Sequence, residues 1–490
     1  MPQFSYPGVY IEEVENANRT IVRSSTSVTG FIGRARKGPI NKTVKIINFS
    51  QFENIFGGLW YDAPMSYSVY QFFLNGGKDA VIVRVAKEES TASATFEGTG
   101  IDLVALNAGT WANGLKVKIS KVDGSKITIQ ISGSDIVEEF NNVELNHDPQ
   151  FFIGTKLETE SSLIRLKDGI DTSMSIPNEG EEITLTHGTD GVIIGSEQIK
   201  GVENLKTGIH CFDEKNINLM VVPPFGPDNE IDSETFDEVA KYCQKRRAML
   251  IVDSPITWIS KDAAYEGMKN CDAITPHPNA AIFFPRIMMA DPLKDGLVRE
   301  FTSSGAIAGL FARTDEVRGV WKSPAGINAD LRGTKDLVVH LTINEIGILN
   351  EMGLNCLRNF SSGIIIWGSR TSEGADYLGN KWKYIAVRRT ALYIEQTLER
   401  NLEWVTFQPN DEPLWAKIRM SVGSFMHDLF KQGAFQGLTQ NEAYFVECDK
   451  ETTTQDDIDK GIVNILVGFA PLKPAEFFII KISQLINPGK

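Results

Sequence analysis

Hydrophobic and polar positions change rhythm several times along the chain. At 28–33, 44–49 and 80–85 apolar residues run together as in buried strands. Between them, 64–75 carries helix-spaced apolar positions that start at Pro64 and stop at Gly76-Gly77. This pattern predicts the opening of an α/β unit. From about 91 to 199 the rhythm shortens to period two, as in Leu115-Lys-Val-Lys-Ile-Ser and Lys126-Ile-Thr-Ile-Gln-Ile, with Asp123-Gly124 between the two runs as a hairpin signal. This block reads as a mostly β insertion.

Strand and helix then alternate. Apolar runs at 217–222, 249–252 and 280–284 are separated by amphipathic stretches such as Phe236, Val239, Ala240 and Cys243, which predicts a parallel or mixed sheet covered by helices. The stretch 341–370 adds a helix and an apolar strand at 363–367. Two helical stripes follow: Tyr384, Val387, Ala391, Ile394, Leu398, Leu402 and Val405, then Leu414, Ile418, Val422, Phe425 and Leu429 after an Asp411/Pro413 start. Both stripes have the spacing of core-facing helix surfaces.

Composition narrows the function. At 490 residues the chain is long enough for roughly three domains. A net charge of −14 argues against a surface selected throughout for phosphate backbones or anionic lipid. Much of that charge sits at 138–190, with twelve acidic residues against three basic ones, which fits a solvated outer face better than an acidic binding site. The five cysteines are scattered without a C-x-x-C pair, which predicts reduced thiols rather than disulfides or a zinc knuckle. The start of the chain lacks the basic and apolar regions of a secretion signal. No apolar run approaches the ~18 residues that cross a bilayer.

Catalytic constellations are scarce. Gly363-Ile-Ile-Ile-Trp-Gly368-Ser369-Arg370 has the glycine spacing of a phosphate loop, but Ser369 stands where a lysine would reach the phosphates. The six histidines share no local metal-ligand spacing, and neither a G-x-S-x-G elbow nor an H-E-x-x-H helix occurs. Asp253, at the C-terminal end of an expected strand, and the cluster Arg313, Asp315, Glu316 and Arg318 are the candidates for an α/β enzyme of unknown substrate. A structural ion-pair network explains the cluster equally well. The sequence implies no cofactor and no metal.

The two ends carry strand character. Tyr6, Pro7, Gly8, Val9, Tyr10 and Ile11 open an extended stretch through Val14, since Pro7 fixes φ and bars a helix. Near the other end 461–469 is β-branched and apolar. After Pro471 and Pro474, Phe477, Phe478, Ile479, Ile480 and Ile482 form a run that would be an aggregation hazard if unpaired. These segments pair within their own subunit or add as strands to a neighbour. An added strand of about five residues gains about five hydrogen bonds at roughly 0.5–1.5 kcal/mol each. Two arms per subunit in a lattice would act multivalently.

Several stretches together resemble the contractile tail sheath family of phage tails, R-type bacteriocins and phage-tail-like injection systems. They are Tyr6-Pro-Gly-Val-Tyr-Ile-Glu-Glu; Gly109-Thr-Trp-Ala-Asn-Gly-Leu-Lys-Val; Ser304-Gly-Ala-Ile-Ala-Gly-Leu-Phe-Ala-Arg-Thr-Asp with Arg318-Gly-Val-Trp-Lys-Ser-Pro-Ala; Asn380-Lys-Trp-Lys-Tyr-Ile-Ala-Val-Arg-Arg-Thr-Ala-Leu-Tyr-Ile-Glu; and Phe445-Val-Glu-Cys-Asp with Val467-Gly-Phe-Ala-Pro-Leu-Lys-Pro-Ala-Glu-Phe. Thr302-Ser-Ser-Gly departs from the family, which often has a proline-rich turn there.

The resemblance implies a mixed α+β, multidomain tail-sheath fold: an N-terminal arm at 1–25, a central α/β domain at 26–90 and 200–375, an outward-facing acidic β insertion at 91–199, and an α+β C-terminal domain at 376–490 that faces the tube and carries a C-terminal arm. It implies six-subunit rings stacked as a helical sheath that contracts and drives an inner tube through a target envelope. The arms would complete a sheet on neighbouring C-terminal domains. Lys417, Arg419 and Lys431 on the 412–431 helix would be charge partners of an acidic tube. Implied partners are further copies of the chain or sheath paralogues, the tube protein, and baseplate and terminal cap proteins, with neither direct nucleic-acid contact nor membrane insertion. Assembly would take place in the bacterial cytoplasm. The alternatives are a non-contractile shell or tube subunit and the α/β enzyme.

Overall fold

The computed structural model describes residues 20–123, 126–133, 136–145, 151–167, 174–178 and 180–476. The chain forms two compact units, one built from 26–317 and 323–388, the other from 318–322, the segment before 26 and the chain from 389 onward.

The first unit is organised by an eight-stranded sheet, in the order Gly363–Ile366, Asn355–Phe360, Ala280–Phe284, Met249–Asp253, Leu219–Val221, Thr29–Gly33, Ala80–Arg84, Thr43–Ile46. The six inner strands are parallel, and each edge strand is antiparallel to its neighbour. Thr29–Gly33, Ala80–Arg84, Met249–Asp253 and Ala280–Phe284 are buried at every position, as strands covered on both faces must be. Register keeps the two faces separate. Phe31 pairs with Val221 and Ile82, and Val221 with Ile251, which pairs with Ala281. All five belong to one core cluster, while Ile32, Met220, Leu250 and Ile282 belong to the other.

Helices close both faces. Ser233–Arg246, Lys261–Asn270 and Ile343–Glu351 supply Phe236, Val239, Ala264 and Leu349 to one core. Phe49–Phe56, Pro64–Leu74 and Ser304–Arg318 supply Phe52, Phe56, Phe72 and Phe311 to the other. The strand expected at 44–49 stops at Ile46, because the Asn48 side chain accepts from the Gln51 amide and caps the helix that starts at Phe49. Ser304–Arg318 lies against Pro64–Leu74 at backbone contact: a Cβ on Gly305 would stand 2.2 Å from the Ser68 carbonyl oxygen, and one on Gly309 2.3 Å from that of Phe72.

The insertion has its own core. Glu182–Thr184, Lys116–Asp123, Lys126–Ser132 and Val137–Glu144 form an antiparallel sheet, and Ser93–Phe96, Ile101–Ala105 and Ile164–Leu166 form a smaller one. Val117, Ile119, Ile127, Ile129 and Ile131 point inward between them, as the period-two pattern predicts. The chain enters and leaves this region side by side: the Ser90 amide donates to the Thr189 carbonyl at 3.3 Å and the Ser93 amide to that of Thr186 at 2.9 Å. Arg84 pins the entrance. Its guanidinium donates to the carbonyls of Ala35 (2.9 Å), Gly38 (2.7 Å) and Ala108 (3.1 Å) and to Glu89 Oε2 at 2.5 Å, and both side chains of this ion pair are almost fully buried. Burial pushes Glu89 up to about 7 and Arg84 down, and their mutual attraction opposes both shifts.

The second unit packs the helix Glu412–Lys431 and the end of Ile385–Asn401 against a two-stranded antiparallel sheet, Tyr444–Glu447 with Leu466–Phe469. Leu414, Ile418, Val422, Phe425 and Leu429 all face this core, which also takes in Tyr393, Ile394, Phe435 and Tyr444. Val320 and Trp321, from the 318–322 segment, join it. The first of the two C-terminal helical stripes is longer than its helix: Ile385–Asn401 ends four residues before Val405, and Glu403–Val405 forms a separate 3-10 turn. Asp411 caps Glu412–Lys431 by accepting from the Leu414 amide at 3.1 Å. Asp411→Ala is expected to lower the stability of this unit by about 1 kcal/mol, read as a shift in its urea midpoint, while an unchanged midpoint would mean that packing alone fixes the helix start.

Candidate functional site

The C-terminal sheet is built by sequence that can pair. Tyr444 turns inward, its ring 6.1 Å from that of Phe435 and 6.4 Å from that of Phe430, so one face of the sheet rests on the helical core. Phe445 and Leu466 turn outward and stay about half exposed, with Ile462 and Leu472 exposed nearby. Among the described residues this sheet has two strands. An exposed apolar face on such a sheet is what a further strand would cover. The sequence-predicted arm residues Tyr6, Pro7, Gly8, Val9, Tyr10 and Ile11, and Phe477, Phe478, Ile479, Ile480 and Ile482, lie outside the described residues.

The helix Glu412–Lys431 presents Lys417, Met420, Ser424, Asp428 and Lys431 outward. Lys417 and Lys431 stand about four helical turns apart, about 21 Å at ~1.5 Å per residue. Arg419 is placed differently. Half-buried, it donates from Nη1 to the Cys448 carbonyl and from Nη2 to Glu412 Oε1 at 2.5 Å, which ties the helix start to the end of the Tyr444–Glu447 strand. Of the three cations expected at a tube contact, Lys417 and Lys431 are presented and Arg419 is engaged within the chain.

The residues of the enzyme alternative do structural work in the α/β unit. The buried Asp253 carboxylate accepts from the amides of Ser303 and Ser304, both at 2.8 Å, and from Ser304 Oγ at 2.5 Å, so it holds the start of Ser304–Arg318. Burial raises its pKa, and these hydrogen bonds and Arg286 oppose the shift. Arg313 donates to the Asp330 carbonyl at 2.6 Å and carboxylate at 3.0 Å, and Glu316 pairs with Lys78. The glycine-spaced stretch is no phosphate loop: Gly363–Ile366 is an edge strand paired with Asn355–Phe360, and Arg370 is buried with Nη1 on the Asn350 carbonyl and Asp376 Oδ1.

A cavity of about 330 Å³ opens near the C-terminal ends of the parallel strands, where open α/β sheets bind ligands. Its two arginines are paired by the chain itself. Arg286 donates to the Ser254 carbonyl at 2.9 Å and to Glu230 at 2.5 Å, and Arg299 donates to Asp291 at 2.7 Å under the Tyr61 ring. Tyr67 donates to the other Asp291 oxygen at 3.1 Å. Among the described residues, no group of three His, Cys, Asp or Glu side chains is arranged to hold a metal ion.

Sequence reasoning missed the part that 318–322 plays in the C-terminal core and the role of Asn401, whose side chain meets Val22. Trp321 and the apolar Val320 beside it were the available signal for the first. Nothing local marks the second, since the partners are 379 residues apart.

Comparison with known proteins agrees with this architecture. A model of the phage tail sheath protein central domain matches residues 200–372, and one of the phage tail sheath C-terminal domain matches 379–484, together more than half of the chain. The tail sheath protein of Burkholderia phage BcepMu is 22% identical over 454 residues, covering 88% of this chain and 87% of that protein. The tail sheath protein of Vibrio phage KVP40 is 26% identical over 175 residues, a match that spans 35% of this chain and 24% of that longer relative. The sheath of an extracellular contractile injection system, PVC, solved in its contracted state, superposes over 99% of both chains with a TM-score of 0.60 at 22% identity. The two matched domains, in the order and at the places where the α/β unit and the C-terminal unit are built, show that the chain belongs to the phage tail sheath family.

Proposed function

We propose that the chain polymerises as six-subunit rings stacked around an inner tube, and that the resulting sheath contracts to drive the tube through a target envelope. The observation that carries this reading is the likeness over the whole chain to a sheath solved in a contracted state. The two-stranded C-terminal sheet supports a role for both chain ends as strands donated to neighbours. The acidic insertion faces outward and the C-terminal unit faces the tube. Baseplate and cap proteins bound the polymer, which assembles in the bacterial cytoplasm as part of a phage tail or tail-like particle. The chain is not an enzyme: the work of contraction comes from more favourable interfaces between subunits in the shortened lattice, a two-state device rather than a turnover cycle.

Negative-stain electron microscopy of the purified chain, alone and with its native tube partners, tests this. Striated hollow cylinders in two diameters are expected. Cylinders of a single diameter under every trigger would instead indicate a non-contractile shell, and small closed oligomers would overturn the sheath reading. The tube contact has its own test. Reversing Lys417 and Lys431 together to Glu is expected to weaken co-sedimentation with tubes about tenfold, with the loss growing at low ionic strength. Unchanged co-sedimentation would remove this helix face from the contact.

A further inference from the structure

The chain just before the α/β unit is held at three consecutive residues. Ile21 packs against the C-terminal core. The Val22 amide donates to Asn401 Oδ1 at 2.7 Å, and the Val22 carbonyl accepts from Asn401 Nδ2 at 2.8 Å. Arg23 Nη1 donates to Gln432 Oε1 at 2.9 Å. Val22 is 72% exposed as a residue, and the two bonds that hold it are to its main chain. Asn401 thus acts as a one-residue strand, exchanging both hydrogen bonds with one backbone residue as in an antiparallel pair. Its second Nδ2 proton goes to the Thr397 carbonyl at 2.8 Å, which fixes the side chain on the last turn of Ile385–Asn401. Only an amide of this length offers an acceptor and a donor side by side.

The same grip decides where a pull on the N-terminal end would go. Residues 21–23 are fixed to the second unit, and six residues beyond Arg23 the chain becomes Thr29–Gly33, an interior strand of the eight-stranded sheet. Nineteen residues precede Thr20, enough to span ~65 Å at full extension. We propose that Asn401, seconded by Gln432, is a clamp that passes tension in the N-terminal arm into the C-terminal unit and spares the α/β sheet while that unit re-docks. This rests on the reading that the N-terminal residues act as an arm between subunits. Asn401 is therefore a positioning residue for assembly.

Amide hydrogen exchange on the monomer tests the clamp without assembly. In Asn401→Leu the Val22 amide is expected to lose protection by roughly ten- to a hundredfold while the sheet strands keep theirs. Asn401→Asp, which keeps the size but loses the donor, is expected to do the same and guards against a packing defect. Equal Val22 exchange in wild type and both variants would overturn the clamp. In particles assembled with the native tube and then contracted, Asn401→Leu sheaths are expected to break several times more often than wild type by electron microscopy. Lost protection with equally intact contracted sheaths would overturn the tension-carrying role. Cylinders formed by a chain lacking residues 1–14 would overturn the arm reading and with it that role, yet leave the exchange result standing.

Discussion

A chain lacking residues 1–14 is expected to fold, to run as a monomer by size-exclusion chromatography, and to form no cylinders. Both cores support the first part. The sheet of the α/β unit begins at Thr29, and among the described residues Ile21 is the first that packs on the C-terminal core. The thermal midpoint should therefore stay within a degree or two of the parent, as it does for changes outside packed features (roughly ±0.5 kcal/mol). Assembly is another matter. On the proposed arm reading, one donated strand would contribute only a few kcal/mol, at about 0.5–1.5 kcal/mol per hydrogen bond, but it would do so at every subunit, and loss of a repeated contact would remove the avidity that holds a polymer together. Light scattering and negative-stain microscopy with the tube partners would read the outcome. Cylinders at wild-type yield would end the arm reading.

Asp253→Ala is expected to destabilise the α/β unit strongly. The change leaves the amides of Ser303 and Ser304 buried without an acceptor and frees the Ser304 hydroxyl. Orphaned buried donors cost about 1–3 kcal/mol each, so a loss of roughly 2–4 kcal/mol in unfolding free energy follows. Asp253→Asn keeps one acceptor oxygen and should lose less than half as much while still assembling. Urea unfolding of both variants checks this. Equal stability of wild type and the alanine variant would return Asp253 to the pool of residues kept for chemistry.

Local patterns in the sequence reach some of these features and miss others. Period two at Lys126-Ile-Thr-Ile-Gln-Ile and helical spacing at Leu414, Ile418 and Val422 each state a local fact, and both sets of side chains face the cores they predict. The boundary at Asn48 is harder, because Ile46 and Phe49 look alike as hydrophobes and only the cap between them decides which belongs to a strand. Asp253 misleads for a related reason. A carboxylate at a strand end has the same identity whether it meets a substrate or a helix N-terminus, and its partners come fifty residues later. Arg419 reads as a presented cation because its helical position is legible while its bond to the Cys448 carbonyl is not. Side-chain roles fixed by distant backbone lie beyond any local pattern. The family resemblance, by contrast, needs only ordered blocks, and the matched domains agree with it.

The paired entrance and exit of the β insertion have a practical corollary. Because Ser90 meets Thr189 and Ser93 meets Thr186, the chain leaves and rejoins the body at one place, and the region between has its own hydrophobic interior and further touches the body at Ala108 and Trp111. Such a module can be exchanged by genetic grafting for any domain whose termini lie similarly close, provided that the graft returns a carbonyl to Arg84 in place of Ala108. If the insertion faces outward as proposed, the graft site, repeated at every subunit, would turn the particle into a scaffold for dense, regularly spaced display of a foreign enzyme or epitope.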